Sequence, residues 1–133
     1  MSDKTMHVEV VSAESHVFTA DIREIYARGV EGEIGILPGH QPAVIALDVG
    51  AVTLVLEDGS HTKVAVHRGV LFVGADGKVI VLADIAELAA DIDVERARQH
   101  KAELEQRLGA GEDAALKASI VKQDLRLEVA QHA

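Results

Sequence analysis

Gly32-Glu33-Ile34-Gly35-Ile36-Leu37-Pro38-Gly39-His40-Gln41-Pro42-Ala43-Val44-Ile45-Ala46-Leu47-Asp48-Val49-Gly50 holds four glycines and both prolines of the chain. Glycine reaches backbone angles that a Cβ forbids, and proline fixes φ and removes a donor. Apolar residues interleave with these breakers, so the stretch reads as a tightly folded connection rather than a loose linker. Gly32 and Gly35 bracket a short extended piece, Glu33 to Ile36. Leu37-Pro38-Gly39-His40 reads as a turn, with Pro38 where φ near −65° is wanted and Gly39 where φ is positive. After Pro42 an apolar run, Ala43 to Leu47, starts a strand, and Gly50 opens the next.

Working outward, both flanks are strand-like. Val8 and Val10 share one face of a half-buried strand from Met6 to Val11. Ser12 to Ser15 is a turn, His16 to Ile22 returns, and Arg23 to Val30 forms a further strand. Downstream, Val52, Leu54 and Leu56 alternate with Thr53, Val55 and Glu57. Asp58-Gly59 is a strong hairpin signal, because a type I′ turn needs positive φ at both central residues. Thr62, Val64 and Val66 come back, Arg68-Gly69 turns, Val70 to Val73 goes out, Asp76-Gly77 turns again and Val79 to Ala83 returns. Short strands with turns every ~8–12 residues predict a β-sandwich or barrel. Val70–Val73 and Val79–Leu82 are apolar on both faces, which predicts cover on each side. That cover is either the sandwich itself or a second element or protein lying outside it.

From Ala89 the composition shifts to Ala, Glu, Arg, Gln and Lys, which are helix formers. Asp91 or Asp93 caps the start of a first helix. Val94, Ala97, Leu104 and Leu108 make its apolar stripe, and Glu103 and Arg107 an i,i+4 pair. Gly109-Ala110-Gly111 ends it. A second helix runs from about Asp113 to Ala130, and the short link predicts an antiparallel hairpin. This second helix carries two stripes: Leu116, Ile120 and Leu127 on one side, and Ala114, Ala118, Val121, Leu125 and Val129 on the other. It is either wedged between the first helix and the sheet, or it serves two alternative packings. The fold class expected is a β-sandwich over residues 1–88 followed by an antiparallel two-helix hairpin over residues 89–133.

Composition excludes several functions. The chain has 133 residues, 13 Lys and Arg against 22 Asp and Glu, and a formal charge of −9. That excludes a phosphate-backbone partner, so no nucleic acid is expected. There is no cysteine, hence no disulfide framework, zinc-thiolate site or thiol nucleophile. Aromatics are 2% of the chain, too few for the stacking platforms of sugar or single-strand readers. The start of the chain has no apolar h-region and no apolar run approaches ~20 residues, so neither a signal peptide nor direct membrane insertion is expected. His7, His16, His40, His61, His67, His100 and His132 never fall at metal-ligand spacing, so no metal is expected. No nucleophile elbow and no phosphate-cradling P-loop are present, and no catalytic residue is assigned. A stand-alone sandwich binding a small ligand is weakened by the dearth of aromatics, and a cupin-type enzyme by the histidine spacing.

Gly35-Ile36-Leu37-Pro38-Gly39-His40-Gln41-Pro42, then Gly50, Gly69-Val70-Leu71 and Val81-Leu82-Ala83-Asp84, resemble the epsilon subunit of the bacterial F-type ATP synthase over nearly the whole chain. The resemblance implies a non-catalytic rotor subunit of the central stalk that couples proton-driven rotation to ATP synthesis. Implied partners are the gamma subunit, the membrane ring of proton-carrying subunits, and the catalytic alpha and beta subunits. The implied location is the cytoplasmic face of the cell membrane, peripheral, as part of that complex. The hairpin would fold on the sandwich, or extend and inhibit ATP hydrolysis. No cofactor is required, but regulatory ATP is implied by Ile92-Asp93-Val94-Glu95-Arg96-Ala97, which resembles the family's ATP-holding motif. Glu87, Ile92, Asp93, Arg96, Ala97 and Arg126 are the residues so implied. Arg96 suits phosphate oxygens, and Asp93 an adenine amine or ribose. On the residues alone, Asp93 is equally an N-cap and Arg96 a surface charge. Where the motif expects a further basic residue, this chain has Glu103. The resemblance also places His40 near the gamma contact, and Lys117, Lys122 and Arg126 against an acidic segment of the beta subunit.

Overall fold

Seven strands come first in the computed structural model, which describes residues 4–109 and 113–131. They are β1 (Met6–Ser12), β2 (His16–Gly29), β3 (Gly32–Ile36), β4 (Ala43–Leu56), β5 (His61–Val73), β6 (Val79–Ala83) and β7 (Ala86–Leu88). A 3₁₀ turn, Ala89–Asp91, leads into α1 (Val94–Gly109) and α2 (Ala114–Gln131). Ala110 and Gly111 of the predicted helix link, and His132, lie outside the described residues.

The strands run in the order β1-β6-β5-β4-β2-β3, and β1 also pairs with β2, so the sheet closes on itself. All pairings are antiparallel except β1 with β6. Long strands change partners along their length. β2 pairs with β1 through its first half and with β3 through its second. β5 pairs with β7 at Val64–Val66 and with β6 at Gly69–Val73. Such sharing makes a flattened barrel, the sandwich expected from the turn spacing. Its core holds Val8, Val10, Ile22, Ile25, Ile36, Val52, Leu54, Val64, Val66, Leu71, Val79 and Val81, all essentially without solvent contact. Inward side chains recur at every second position, as in the burial of β6 at Val79, Val81 and Ala83.

Several boundaries differ from the sequence reading. The two strands expected at His16–Ile22 and Arg23–Val30 are one strand, β2, which ends at Gly29 and whose register shifts between Ile22 and Glu24. Ala43–Leu47 and the strand expected to open at Gly50 are likewise one strand, β4. Gly50 is needed there for close packing: a Cβ would lie 2.9 Å from the Arg28 Cβ of the neighbouring strand. Arg68-Gly69 is no turn either, but a kink inside β5. Arg68 takes φ 67°, and a Cβ on Gly69 would lie 2.2 Å from the Leu82 carbonyl oxygen. The kink falls where β5 passes from β7 to β6, and a glycine was mistaken for punctuation where it makes room for a crossing backbone. Turns do fall at Gly39, Gly59 and Gly77, each with positive φ, but Asp58 is not in the positive-φ region, so the hairpin at Asp58-Gly59 is not the type I′ turn expected. There the Gly59 amide donates to the Leu56 carbonyl and the Leu56 amide to the Ser60 carbonyl.

At Val70–Val73 and Val79–Leu82 the expected outer cover does not come from the sandwich or from the hairpin, which leaves the alternative of another protein. No described part of the chain covers their outer face. The strand buried on both faces is instead the first half of β5, where Val64, Ala65, Val66 and His67 are all buried. The inner face meets the sandwich core, and the outer face lies under α2.

Two helices follow and pack on each other. Asp93 Oδ1 accepts from the Arg96 amide at 3.0 Å, which caps α1. Asp113 does the same for α2, accepting from the Ala115 amide at 2.8 Å. Lys101 Nζ crosses to Asp124 at 2.6 Å and ties the hairpin together. The predicted Glu103–Arg107 pair is not among the described ion pairs; Arg98–Glu95 and Lys101–Glu105 are the intrahelical ones. α2 is wedged between α1 and the sheet. Leu125 and Val129 join Ala65, Ala89 and Ile92 in a second apolar cluster that seats the hairpin on the sandwich. The first half of this stripe is left over: Ala114 and Ala118 are exposed, and Val121 is 53% exposed.

Candidate functional site

β7 and the start of α1 bring Glu87, Asp93, Arg96 and Ala97 together, and α2 adds Arg126 from 39 residues beyond Glu87. These five line one cavity of about 410 Å³ between the hairpin and the sheet edge. That volume falls in the ordinary range for small-molecule pockets, ~300–1,000 Å³. Ile92 is the exception among the sequence-derived residues. Its side chain turns into the apolar cluster with Leu125 and Val129 instead of the cavity wall.

The polar groups have defined tasks. Arg126 Nε donates to Glu87 Oε1 at 2.5 Å, so the second helix is bonded to β7 across the cavity. Asp93 uses one oxygen to cap α1. Arg96 makes no described ion pair, and its guanidinium is free to meet an anion. Sequence reading missed Asp91, His100 and Gln123, which share the same wall. Spacing was a usable signal for two of them. His100 is one turn after Arg96 and Gln123 one turn before Arg126, hence on the same helix faces. Three carboxylates, Glu87, Asp91 and Asp93, stand against the guanidinium groups of Arg96 and Arg126. The cavity is therefore near electroneutral and can hold a polar ligand, but offers a polyanion little net attraction. Glu103 is exposed on α1, one turn beyond His100.

Behind Glu87 lies His67, which is 3% exposed and has no hydrogen bond on either ring nitrogen. Its Nε2 is 3.7 Å from Glu87 Oε1, too long for a hydrogen bond. Burial, reinforced by Arg126 and Lys122 and opposed by Glu87, holds its pKa below the ordinary 6.5.

The remaining sequence-derived residues are scattered. Lys122 is half-buried beside His67, Arg126 is committed to Glu87, and Lys117 is exposed, five residues before Lys122 on another side of α2. They share a helix but present no common surface in this packing. His40 closes the Leu37–His40 turn: its amide donates to the Leu37 carbonyl at 3.1 Å, and Nδ1 lies 2.7 Å from the Gln41 carbonyl oxygen. Among the described residues no three His, Asp or Glu converge as metal ligands. No helix is long and apolar enough to cross a membrane.

A second surface stands out on the opposite part of the sheet. Val44 is 72% exposed, Phe72 37%, Ile80 38% and Leu82 46%. Val44 pairs with Phe72, Phe72 with Ile80, and Val70 with Leu82, so these side chains form one cross-strand row over β4, β5 and β6. Monomeric proteins seldom leave a contiguous apolar face on a regular sheet, and such faces mark interaction sites.

Comparison with known proteins agrees with this architecture. Residues 5–89 match the family described as ATP synthase, Delta/Epsilon chain, beta-sandwich domain. The ATP synthase epsilon chain of Halalkalibacterium halodurans is 48% identical over 105 residues, 78% of this chain and 77% of that one. That of Pelotomaculum thermopropionicum is 42% identical over 108 residues, 81% and 79% of the two chains. That of Streptomyces avermitilis is 39% identical over 117 residues, 88% and 91%. Among solved structures, a chain of the Euglena gracilis mitochondrial ATP synthase superposes with a TM-score of 0.70 at 21% identity, over 96% of this chain and 78% of that one, and so shares the fold. With the sandwich, the hairpin and the matched residues in agreement, the chain belongs to the ATP synthase epsilon-chain family.

Proposed function

We propose that this protein is a non-catalytic rotor subunit of a proton-translocating F-type ATP synthase, coupling proton-driven rotation to ATP synthesis carried out elsewhere in the complex. The observation that carries the reading is the open apolar row Val44, Phe72, Ile80 and Leu82 on an otherwise well-packed sandwich of the epsilon-chain family. A stand-alone subunit would have little reason to keep it. The row is the docking face for the gamma subunit, and the turn at His40 lies at the margin of that contact. The ring of proton-carrying subunits supports the sandwich, with the alpha and beta subunits above. In this arrangement the protein is peripheral on the cytoplasmic face of the membrane. Epsilon chains of known sequence and a solved mitochondrial ATP synthase containing F1 and c-ring are the relatives that support this placement.

The hairpin is the regulatory part. Docked on the sandwich it half-buries Lys122 and Arg126 and bonds Arg126 to Glu87. Released, it offers Lys122 and Arg126 on one flank of α2, with Lys117 on the other, to an acidic segment of the beta subunit, and blocks ATP hydrolysis. The unused apolar flank at Ala114, Ala118 and Val121 supports a second packing for this helix. Regulatory ATP binds weakly in the cavity lined by Glu87, Asp93, Arg96, Ala97 and Arg126, as its balanced charge implies, and favours the docked hairpin because the ligand bridges both helices and β7. Ile92 supports that site from behind, through its packing on Leu125.

Tagged protein tests the placement by co-purification. Wild type is expected to bring down alpha, beta and gamma subunits. The double substitution F72E and L82E, on exposed positions, is expected to abolish this while leaving the thermal midpoint unchanged. Full recovery of the complex with the double variant would refute the assigned face, and failure of the wild type to recover gamma would refute the reading.

A further inference from the structure

We propose that His67 is a proton-operated latch that weakens the hairpin's grip on the sandwich as the surroundings acidify. The geometry is a buried imidazole trapped under a helix. His67 belongs to the stretch of β5 buried on both faces, and its backbone amide is held by the Ile85 carbonyl at 3.0 Å. In the docked form both ring nitrogens are buried without a hydrogen-bond partner, and the ring borders a cleft that β5 shares with Ala118, Val121 and Lys122 of α2. A buried polar group left unpaired carries a cost, and an unpaired buried charge carries a far larger one.

Every element around the ring contributes charge. α2 supplies Lys122 and Arg126. β7 supplies Glu87, at 3.7 Å, but that carboxylate is already bonded to Arg126. A cleft of about 580 Å³ on the other side adds Arg28 of β2, Asp48 of β4, Arg68 of β5 and Asp84 of the β6–β7 turn. From α1, His100 reaches only the neighbouring cavity with Glu87 and Arg126. A proton on His67 would therefore face two cations from the helix that covers it, with one carboxylate as its nearest acceptor. Lifting α2 removes Lys122 and Arg126 and lets water reach the ring, so the undocked form takes the proton more readily.

The sign follows from linkage. Because the docked imidazole has its pKa below the ordinary 6.5, the docked hairpin binds fewer protons than the released one in the window just below that value. Docking is at full strength above pH 6.5 and is lost as pH falls through the window, by at most about tenfold per pH unit for one proton. Acid thus favours release. The latch rests on docking in the isolated chain and does not depend on whether the released hairpin inhibits hydrolysis, so the two ideas fail separately.

The chain has no cysteine, so a pair of labels goes on cleanly at Glu57→Cys and Gln106→Cys, both exposed, one on the sandwich and one on α1. The label separation is measured from pH 7.5 to 5.5 without nucleotide. The undocked fraction is expected to rise below pH 6.5, and the rise to vanish in H67Q and H67L but persist in H61Q. An unchanged acid response in H67Q, or no response in the wild type, would overturn the latch. A second measurement needs no substitution at the site: ring-carbon NMR titration of the full chain. A His67 midpoint below 6.5 supports the proposal, and one at or above it refutes it.

Discussion

Leu125→Ala separates the seat of the hairpin from the stability of the sandwich. Leu125 is buried between α2, the 3₁₀ turn and β5, in a cluster distinct from the sandwich core. Removing a buried leucine to alanine costs about 2–5 kcal/mol. The lower end applies here, because the cluster lies between two units and α2 can settle toward Ala65 and Ala89. A loss of about 2 kcal/mol is roughly 30-fold in the docking equilibrium, at about 1.4 kcal/mol per factor of ten. Hydrogen exchange read by mass spectrometry resolves where the loss falls. Amides of α2 should lose roughly 30-fold of their protection, while β1, β5 and β6 keep theirs. The matching core variant, Leu54→Ala, should lower protection everywhere. Equal loss in strands and helix for Leu125→Ala would refute the claim that the hairpin opens as a unit, and so would no loss in α2.

Other predictions follow from single contacts. Gly69→Ala places a Cβ 2.2 Å from the Leu82 carbonyl oxygen and 2.7 Å from the Ala83 Cα, so β5 and β6 must move apart; the thermal midpoint should fall by about 5 °C or more, in keeping with overpacking costs of ~1–3 kcal/mol. Glu103→Arg removes a carboxylate one turn from His100 and adds a cation, so calorimetric titration should show ATP binding about tenfold tighter than wild type at low salt, and unchanged or weaker binding would count against the cavity as the ATP site. Lys101 has its pKa raised above 10.5 by its hydrogen bond and charge pairing with Asp124. That bond therefore supports the hairpin fully below pH 10.5 and is lost as pH rises past it; helical circular dichroism should drop between pH 10 and 12, and the drop should shrink in Asp124→Asn.

How much of this was legible from residues alone depended on the kind of signal. Hairpin turns at Asp58-Gly59 and Asp76-Gly77 were visible because positive φ demands glycine locally. The crossing at Gly69 was not, because its reason is the β6 backbone, which is remote in sequence until the strands pair. Gly50 misled for the same cause, as its space is filled by Arg28. The two stripes of α2 correctly announced two neighbours, α1 and the sheet. Alternation could not tell which strand the helix would cover, so the doubly buried stretch was expected at Val70–Val73 and occurs at Val64–His67. Apolar residues at Phe72, Ile80 and Leu82 were expected under the sandwich, a second element or another protein, and within this chain they are open. Five of the six motif residues of the cavity do converge, whereas Ile92 faces the core, since an apolar side chain beside a cap gains more from burial than from a polar wall. His67 carried no sequence mark at all: its isolation is a property of the helix laid over it.

The central proposal is that this member of the ATP synthase epsilon-chain family is a rotor subunit and that its hairpin restrains hydrolysis. ATP hydrolysis by the assembled complex, compared between the full chain and one with everything beyond Ala90 deleted, tests it most directly. The account predicts a rise in hydrolysis on deletion, with assembly intact. Equal hydrolysis by two complexes of the same subunit composition would contradict it.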